Sequence, residues 1–363
     1  MKNICFLITS LEAGGTEKYL LRFLNNYKNE ISATVICKSG KAGILSKEFE
    51  EVKATILPIT LGYFNPIGWL KCYNIFRKND IETVCDFTGN FAGFYLAVAK
   101  LSGVQKRIAF YRRSSHAFKH TKLRTLYDRF ANKMVFNNAT NILANSHFGL
   151  DFFYPGRSLN DDRFEVVING IDSKKFTSTL SKEQIRKELN IPLNSFIIGH
   201  TGRLNSAKNH IAIMRIAEKI VKKNDNIYFL FCGKGTVDLK DQTDSELLKK
   251  RLILLGFRPD VSRILKALDL YIFPSITEGQ PNALIEAMIS GLPFLASNIE
   301  PIKEVVPSEL RHYLQPPSDV DGFSELIEKV YNNAEALEKL RCKEFAINRF
   351  DSKKNFKKLF ELL

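Results

Sequence analysis

No stretch of this 363-residue chain reaches the roughly 18 consecutive apolar residues that a membrane-spanning helix needs, which excludes spanning helices. No Cys-x-x-Cys pair occurs. The six cysteines (Cys5, Cys37, Cys72, Cys85, Cys232 and Cys342) are scattered, mostly inside apolar runs, and read as reduced core residues of a cytoplasmic protein. No Gly-x-Gly-x-x-Gly fingerprint is present, which argues against a nicotinamide enzyme. Catalytic-cysteine, Ser-His-Asp and zinc patterns are absent as readable motifs, as are short repeats and low-complexity tracts. The apolar run in "MKNICFLITSLEAGG" is too short for a signal-peptide core and reads as a first strand.

Acids are also in short supply. Against 53 Lys and Arg there are 39 Asp and Glu, for a net charge of +14. The deficit concentrates between Lys100 and Lys133, where ten basic residues face one acid, Asp128. Such a segment is either a solvated face or an anion-attracting surface suited to phospholipid headgroups, a phosphorylated acceptor or nucleic acid. No aromatic-basic RNA motif accompanies it, so nucleic acid is not an expected partner.

What is present is alternation. "NICFLIT", "SATVICK", "KATILPI", "ETVCDFT", "KRIAFYR" and "NILANS" read as strands separated by amphipathic stretches. An Asn-Gly turn in "FEVVINGID" and the polar "SKKFTSTLSKEQ" mark a linker. Alternation then restarts with "SFIIGHTGRL", "NIYFLFCGKG", "RLILLGF", "LDLYIFPS", "GLPFLAS" and "RHYLQP". The expected fold class is α/β, with two Rossmann-like doubly wound domains facing a cleft and ligands beyond the strands' carboxyl ends. The domains expected are residues 1–172, residues 173–340, and a final basic helical segment, 341–363.

Several turns after strands carry candidate chemistry. Gly14 and Gly15 open a turn into a helix that Thr16 can cap, with Glu17 in its first turn; such a start attracts phosphate, or is a plain turn. In "HTGRLNSAKNH", Arg203 and Lys208 place two cations beside a helix N-terminus, which suits a diphosphate, or are solvated charges. Gly233 and Gly235 permit close backbone approach, and Phe257 and Arg258 after Gly256 could meet a base. In "PSITEGQPNALIEAMISGLPFLAS", Glu278 follows a strand, and Glu286 lies one turn beyond Asn282 in a helix. The amides of Gly279, Gln280, Asn282 and Ala283, around Pro281, then offer a helix N-terminus between two carboxylates. Carboxylates suit paired sugar hydroxyls because each oxygen accepts more than one hydrogen bond.

"EGQPNALIEAM" resembles the Glu-x7-Glu signature of the family 4 retaining glycosyltransferases, which have the two-Rossmann GT-B fold. The resemblance extends to Gly14-Gly15, "VINGID", Arg203 and Lys208, "LLGFRPDV" and "GLPFLAS", nearly the whole chain. It implies a nucleotide-sugar donor, most often UDP-linked, on the C-terminal domain and an acceptor on the N-terminal domain. It also implies a last helix that returns to the N-terminal domain. By position, Arg203 and Lys208 would neutralise the diphosphate. Glu278 would meet the donor sugar and Glu286 the ribose, and Phe257 with Arg258 would hold the base. His116, with His120 close by, resembles the histidine near the reacting carbon. Gln280 stands where the family often has an aromatic residue, which leaves the sugar open.

The expectation is therefore a retaining glycosyltransferase that needs no metal or other cofactor. Asp319 and Asp321 form an Asp-x-Asp that reads as a loop and helix cap. The expected acceptor is a glycan, lipid-linked and on the way to a bacterial surface polysaccharide. Arg112, Arg113, Lys119 and Lys122 would face that acceptor and an anionic membrane, making the enzyme peripheral on the inner face of the cytoplasmic membrane. The alternatives are another two-Rossmann nucleotide-sugar enzyme, an epimerase or phosphorylase, and a non-catalytic basic nucleic-acid-binding protein.

Overall fold

The computed structural model describes residues 1–12, 14–62, 65–115, 121–176 and 180–363, without the side chain of Leu123. His116, Lys119 and His120 lie outside the described residues. The chain forms two compact units, Met1–Gly170 with Lys353–Leu363, and Ile171–Ser352.

The first unit holds a seven-stranded parallel sheet: β1 (Lys2–Ile8), β2 (Ile31–Cys37), β3 (Thr55–Pro58), β4 (Thr83–Asp86), β5 (Lys106–Tyr111), β6 (Asn141–Ala144) and β7 (Phe164–Val166). Their order is β3-β2-β1-β4-β5-β6-β7, so the winding reverses between β1 and β4. The strands are Val-, Ile- and Phe-rich because both faces are covered. One face packs against the helix Gly15–Tyr27 and the last helix, Ser352–Leu362, through Tyr19, Phe23, Phe356 and Leu359. The other packs against the helices Pro66–Lys78, Gly93–Leu101 and Lys122–Asn138 through Cys72, Phe76, Leu96 and Val135.

The second unit holds five parallel strands, β8 (Phe196–Thr201), β9 (Ile227–Cys232), β10 (Leu252–Leu254), β11 (Leu270–Phe273) and β12 (Phe294–Ala296), in the order β10-β9-β8-β11-β12. The expected strand "RHYLQP" is not one. Ser308–Tyr313 is a 3₁₀ turn, and only Gln315 bridges to Ser297 before Pro316 and Pro317, which have no N–H to continue a ladder.

The expected terminal segment 341–363 divides. Its first helix, Lys343–Arg349, stays in the second unit, where Phe350 is fully buried and its carbonyl accepts from the Ile171 amide at 2.8 Å. The residues from Lys353 onward belong to the first unit. There the Phe360 ring stacks on Tyr27 at 4.4 Å, and Thr83 donates to the Leu363 carbonyl at 2.8 Å. The six cysteines are free, and all but Cys342 are buried. Among the described residues no helix is long and apolar enough to cross a membrane.

Candidate active site of the second unit

The loops after β8, β9 and β10 are laced together at the carboxyl edge of the sheet. The Leu204 amide donates to the Lys234 carbonyl at 2.8 Å, and the Gly233 amide donates to the Gly256 carbonyl at 2.7 Å. A Cβ on Gly233 would stand 2.0 Å from the Gly202 carbonyl oxygen, so this glycine serves backbone-to-backbone packing. The loop after β8 is tied in turn to the loop after β11, where the Ile276 amide donates to the Ala207 carbonyl at 2.8 Å.

This lacing brings Lys208 and Glu278, 70 residues apart, into an ion pair with Nζ 2.6 Å from Oε1. Both side chains are mostly buried, 18% and 10% exposed, and the Lys208 ammonium lies 4.8 Å from the Phe273 ring centre. Beneath it sit His200 and His210, packed edge to face at 4.9 Å. His200 Nδ1 lies 2.9 Å from the Ile272 carbonyl and must therefore donate. Burial, with Lys208 and His210 adding repulsion, pushes the His200 pKa far down; burial brings His210 to about 4. Both rings are neutral at pH 7 and add no charge of their own.

The helix Asn282–Ile289 starts beside this pair, with Pro281 as its N-cap residue and no side-chain cap. Gln280 is 8% exposed. Glu286 is half-buried on a helix whose Leu284, Ile285, Ala287 and Met288 are buried. Burial raises the Tyr271 pKa, and the charges of Glu286 and Glu278 raise it further, so both carboxylates act on one small region. Arg203 is exposed at the mouth of the β8 loop. A cation pair, a carboxylate pair and a helix start at one sheet edge can hold a diphosphate and paired hydroxyls together.

The glycosyl transferases group 1 family profile matches residues 181–348. An Escherichia coli UDP-Gal:alpha-D-GlcNAc-diphosphoundecaprenol alpha-1,3-galactosyltransferase is 33% identical over 208 residues, 55% of this chain and 54% of that one; the chain thus spans about half the length of that relative. A Campylobacter jejuni N-acetylgalactosaminyltransferase, named for an N-acetylgalactosamine-N,N'-diacetylbacillosaminyl-diphospho-undecaprenol acceptor, is 24% identical over 79% of this chain and 78% of its own. The crystal structure of Anabaena HepE in complex with UDP superposes with a TM-score of 0.84 at 20% identity, covering 99% of each chain. Residues 181–348 are a glycosyl transferases group 1 domain. The whole chain has the GT-B fold.

In the group 1 domain Arg258 spends its guanidinium on Asp260, with Nε and Nη2 at 2.8 and 2.7 Å from the two carboxylate oxygens. Phe257 is left 64% exposed, so the ring rather than the cation is the free part of that turn. Asp319 caps the helix Val320–Asn332 through the Gly322 amide at 2.9 Å, and Asp321 pairs with Lys219. Both acids of the Asp-x-Asp thus have structural partners.

The sequence does not single out Asn209. It adopts a left-handed conformation, φ 55° and ψ 43°, directly after Lys208. Its side-chain amide donates to the Pro274 carbonyl at 3.1 Å and the Pro317 carbonyl at 2.8 Å, fixing the Lys208 turn to the strand end that leads to Glu278. Asn209→Gly keeps the backbone conformation and removes both donations. It is expected to lower kcat by about ten- to hundredfold, because misplacement of about 1 Å is that costly, and to melt a few degrees earlier for the two lost hydrogen bonds. Wild-type kcat in Asn209→Gly would mean that only the backbone conformation matters.

In the first unit, Gly15 begins the helix Gly15–Tyr27 with Gly14 as its N-cap residue, so Thr16 lies inside the helix and does not cap it. The expected basic surface is split. Arg112 turns inward, its guanidinium 3.8 Å from the Tyr19 ring centre and 4.9 Å from that of Phe110. Nε and Nη1 of Arg112 are buried with no hydrogen-bond acceptor among the described residues, and burial lowers its pKa to about 10. Arg112 is thus partly buried, its guanidinium spent over core rings rather than held out in solvent. Arg113 donates to Asn90 Oδ1 at 2.8 Å, whereas Lys122 is exposed.

Proposed function

We propose that this protein is a retaining glycosyltransferase that moves a sugar from a UDP-linked donor to a polyprenyl-diphosphate-linked glycan during bacterial surface polysaccharide synthesis. The observation that carries this reading is the Lys208–Glu278 pair at the start of the helix Asn282–Ile289. The two relatives named for diphosphoundecaprenol acceptors and the UDP-bound neighbour support the choice of acceptor and nucleotide.

Breaking the donor's glycosidic bond passes through an oxocarbenium-like state while charge grows on the departing diphosphate. Arg203, Lys208 and the helix amides near Ala283 are fixed where that charge develops and need not reorganise. Glu278 orients the sugar hydroxyls, Glu286 takes the ribose, and the exposed Phe257 ring stacks on the base. His116 is assigned to the reacting carbon by its resemblance alone.

Cations and dipoles then do the work of a Lewis acid, so the reaction is metal-independent. Excess chelator is expected to leave the rate of UDP release from the preferred donor within about twofold. Loss of UDP release on chelation, restored by manganese or magnesium, would overturn metal independence. Failure of every UDP-sugar to shift the melting temperature or release UDP would overturn the donor assignment. The site of action is the inner face of the cytoplasmic membrane, where a lipid-linked acceptor and a soluble donor meet.

A further inference from the structure

The helices Pro66–Lys78, Gly93–Leu101 and Lys122–Asn138 lie side by side on one face of the seven-stranded sheet. A line of rings joins them: Trp69 stacks on Phe94 at 5.7 Å, and Phe94 meets Phe130 at 6.2 Å. Around this line, large apolar side chains face solvent. Ile67 and Leu70 are 70% and 61% exposed on the first helix, and Leu126 and Phe130 are 66% and 47% exposed on the third. Scattered single exposures need no explanation, but Leu70, Leu126 and Phe130, exposed on helices that a line of rings joins, do.

The exposed charges of these helices have one sign. The first helix exposes Lys71, Arg77 and Lys78, and the third exposes Lys122, Arg129 and Lys133. The three helices contain a single acid, Asp128, which is 9% exposed, accepts from Asn90 and pairs with Arg124. These three helices therefore offer no exposed carboxylate; the nearest in sequence, Asp80, is exposed just past the end of the first. Each helix follows a strand and starts at the sheet's carboxyl edge, where ligands bind in doubly wound folds. Ile67, Leu70 and Phe94 belong to those first turns.

We propose that this face is the docking surface for an anionic lipid bilayer. Aliphatic and aromatic side chains enter the boundary between headgroups and acyl chains, and the surrounding lysines and arginines meet lipid phosphates. A second copy of the chain fits poorly, because two such faces bring cations against cations. Nucleic acid fits poorly, because Ile67, Leu70 and Leu126 offer nothing to a phosphate backbone. The purpose of docking, reaching a lipid-linked acceptor, rests on the proposed function; the surface itself does not.

The test is co-sedimentation with phosphatidylcholine vesicles, with and without phosphatidylglycerol, and no lipid-linked sugar present. The full chain should bind the anionic vesicles at least tenfold more tightly than the neutral ones, and raised salt should weaken that binding. Leu126→Glu with Phe130→Glu, and separately Arg129→Glu with Lys133→Glu, should each lower vesicle binding about tenfold or more. The far-ultraviolet circular dichroism spectrum and the melting curve, measured on the same samples, should be unchanged and so report folding. Wild-type vesicle binding by both variants, or equal wild-type binding to neutral and anionic vesicles, would overturn the proposal. So would a change from dimer to monomer in the Leu126/Phe130 variant, or salt-sensitive binding to DNA in place of vesicles. Vesicle binding by a chain that takes no UDP-sugar would sink the proposed function and leave the surface standing; UDP-sugar turnover without vesicle binding would do the reverse.

Discussion

Lys208→Ala should lower kcat by about 10²–10³, the loss expected when one fixed donor to a developing negative charge is removed, or about 2.7–4 kcal/mol. The loss should fall on kcat more than on KM, because the charge on the leaving diphosphate grows toward the transition state. A second effect follows from the ion pair. Glu278 is only 10% exposed and is bound to Lys208 at 2.6 Å, so the alanine variant strips a largely buried carboxylate of its cation. A charged hydrogen bond of this kind contributes about 1.5–3 kcal/mol. The variant should therefore also melt earlier. The double variant Lys208→Met with Glu278→Gln separates the two roles. Removing both charges should restore much of the melting temperature, while transfer stays as low as in the single variant. Recovery of transfer in the double variant would mean that Lys208 serves only to balance Glu278.

Asp86→Ala should destabilise the first unit by about 3–5 kcal/mol, the usual cost of leaving a buried charge unpaired. For a unit of this size that lowers its melting temperature by roughly 6–20 °C. Asp86 is fully buried and Lys38 is 9% exposed. The Lys38 ammonium donates to Asp86 Oδ2 at 2.5 Å, Thr88 Oγ1 at 2.9 Å and the Phe91 carbonyl at 3.3 Å, which uses all three of its protons. Asp86 Oδ1 accepts from the Thr88 amide at 2.8 Å and the Thr88 hydroxyl at 2.5 Å. The network pins the turn after β4, beside the point where the sheet's winding reverses. Lys38→Met combined with Asp86→Ala should melt well above Asp86→Ala alone, since the cation is then gone. Equal melting of Asp86→Ala and wild type would show that Lys38 reaches solvent without it.

Eleven strands were legible because β-rich runs such as "NICFLIT" and "NIYFLFC" stand between amphipathic stretches, and both faces of each sheet are covered. β7 was not: its three residues, Phe164–Val166, are only half-buried and carry no pattern. "RHYLQP" has strand-like composition, but two prolines stop its pairing. In the site, Glu278 and Glu286 could be read because eight residues of turn and helix fix their relation. The meeting of Glu278 with Lys208 could not be read from spacing, since it depends on two loops crossing the sheet edge; only the family resemblance put the two residues in one site. Lys38 and Asp86, 48 residues apart, just past the end of β2 and at the end of β4, left no signal at all. A charge count also hides burial. Arg112 and Lys122 look alike in it, yet one is partly buried with its guanidinium over Tyr19 and the other is exposed. Asn209 was the readable clue that was missed, because asparagine is among the few residues that accept a left-handed turn.

The most direct test of the whole account is to incubate the purified chain with a set of UDP-sugars and a polyprenyl-diphosphate-linked sugar, and to follow the acceptor by mass spectrometry and the new anomeric centre by NMR. The account predicts that one UDP-sugar releases UDP, that the acceptor gains the mass of one sugar, and that the new bond keeps the α configuration of the donor. An acceptor unchanged with every UDP-sugar, or a β-linked product from an α-linked donor, would contradict it.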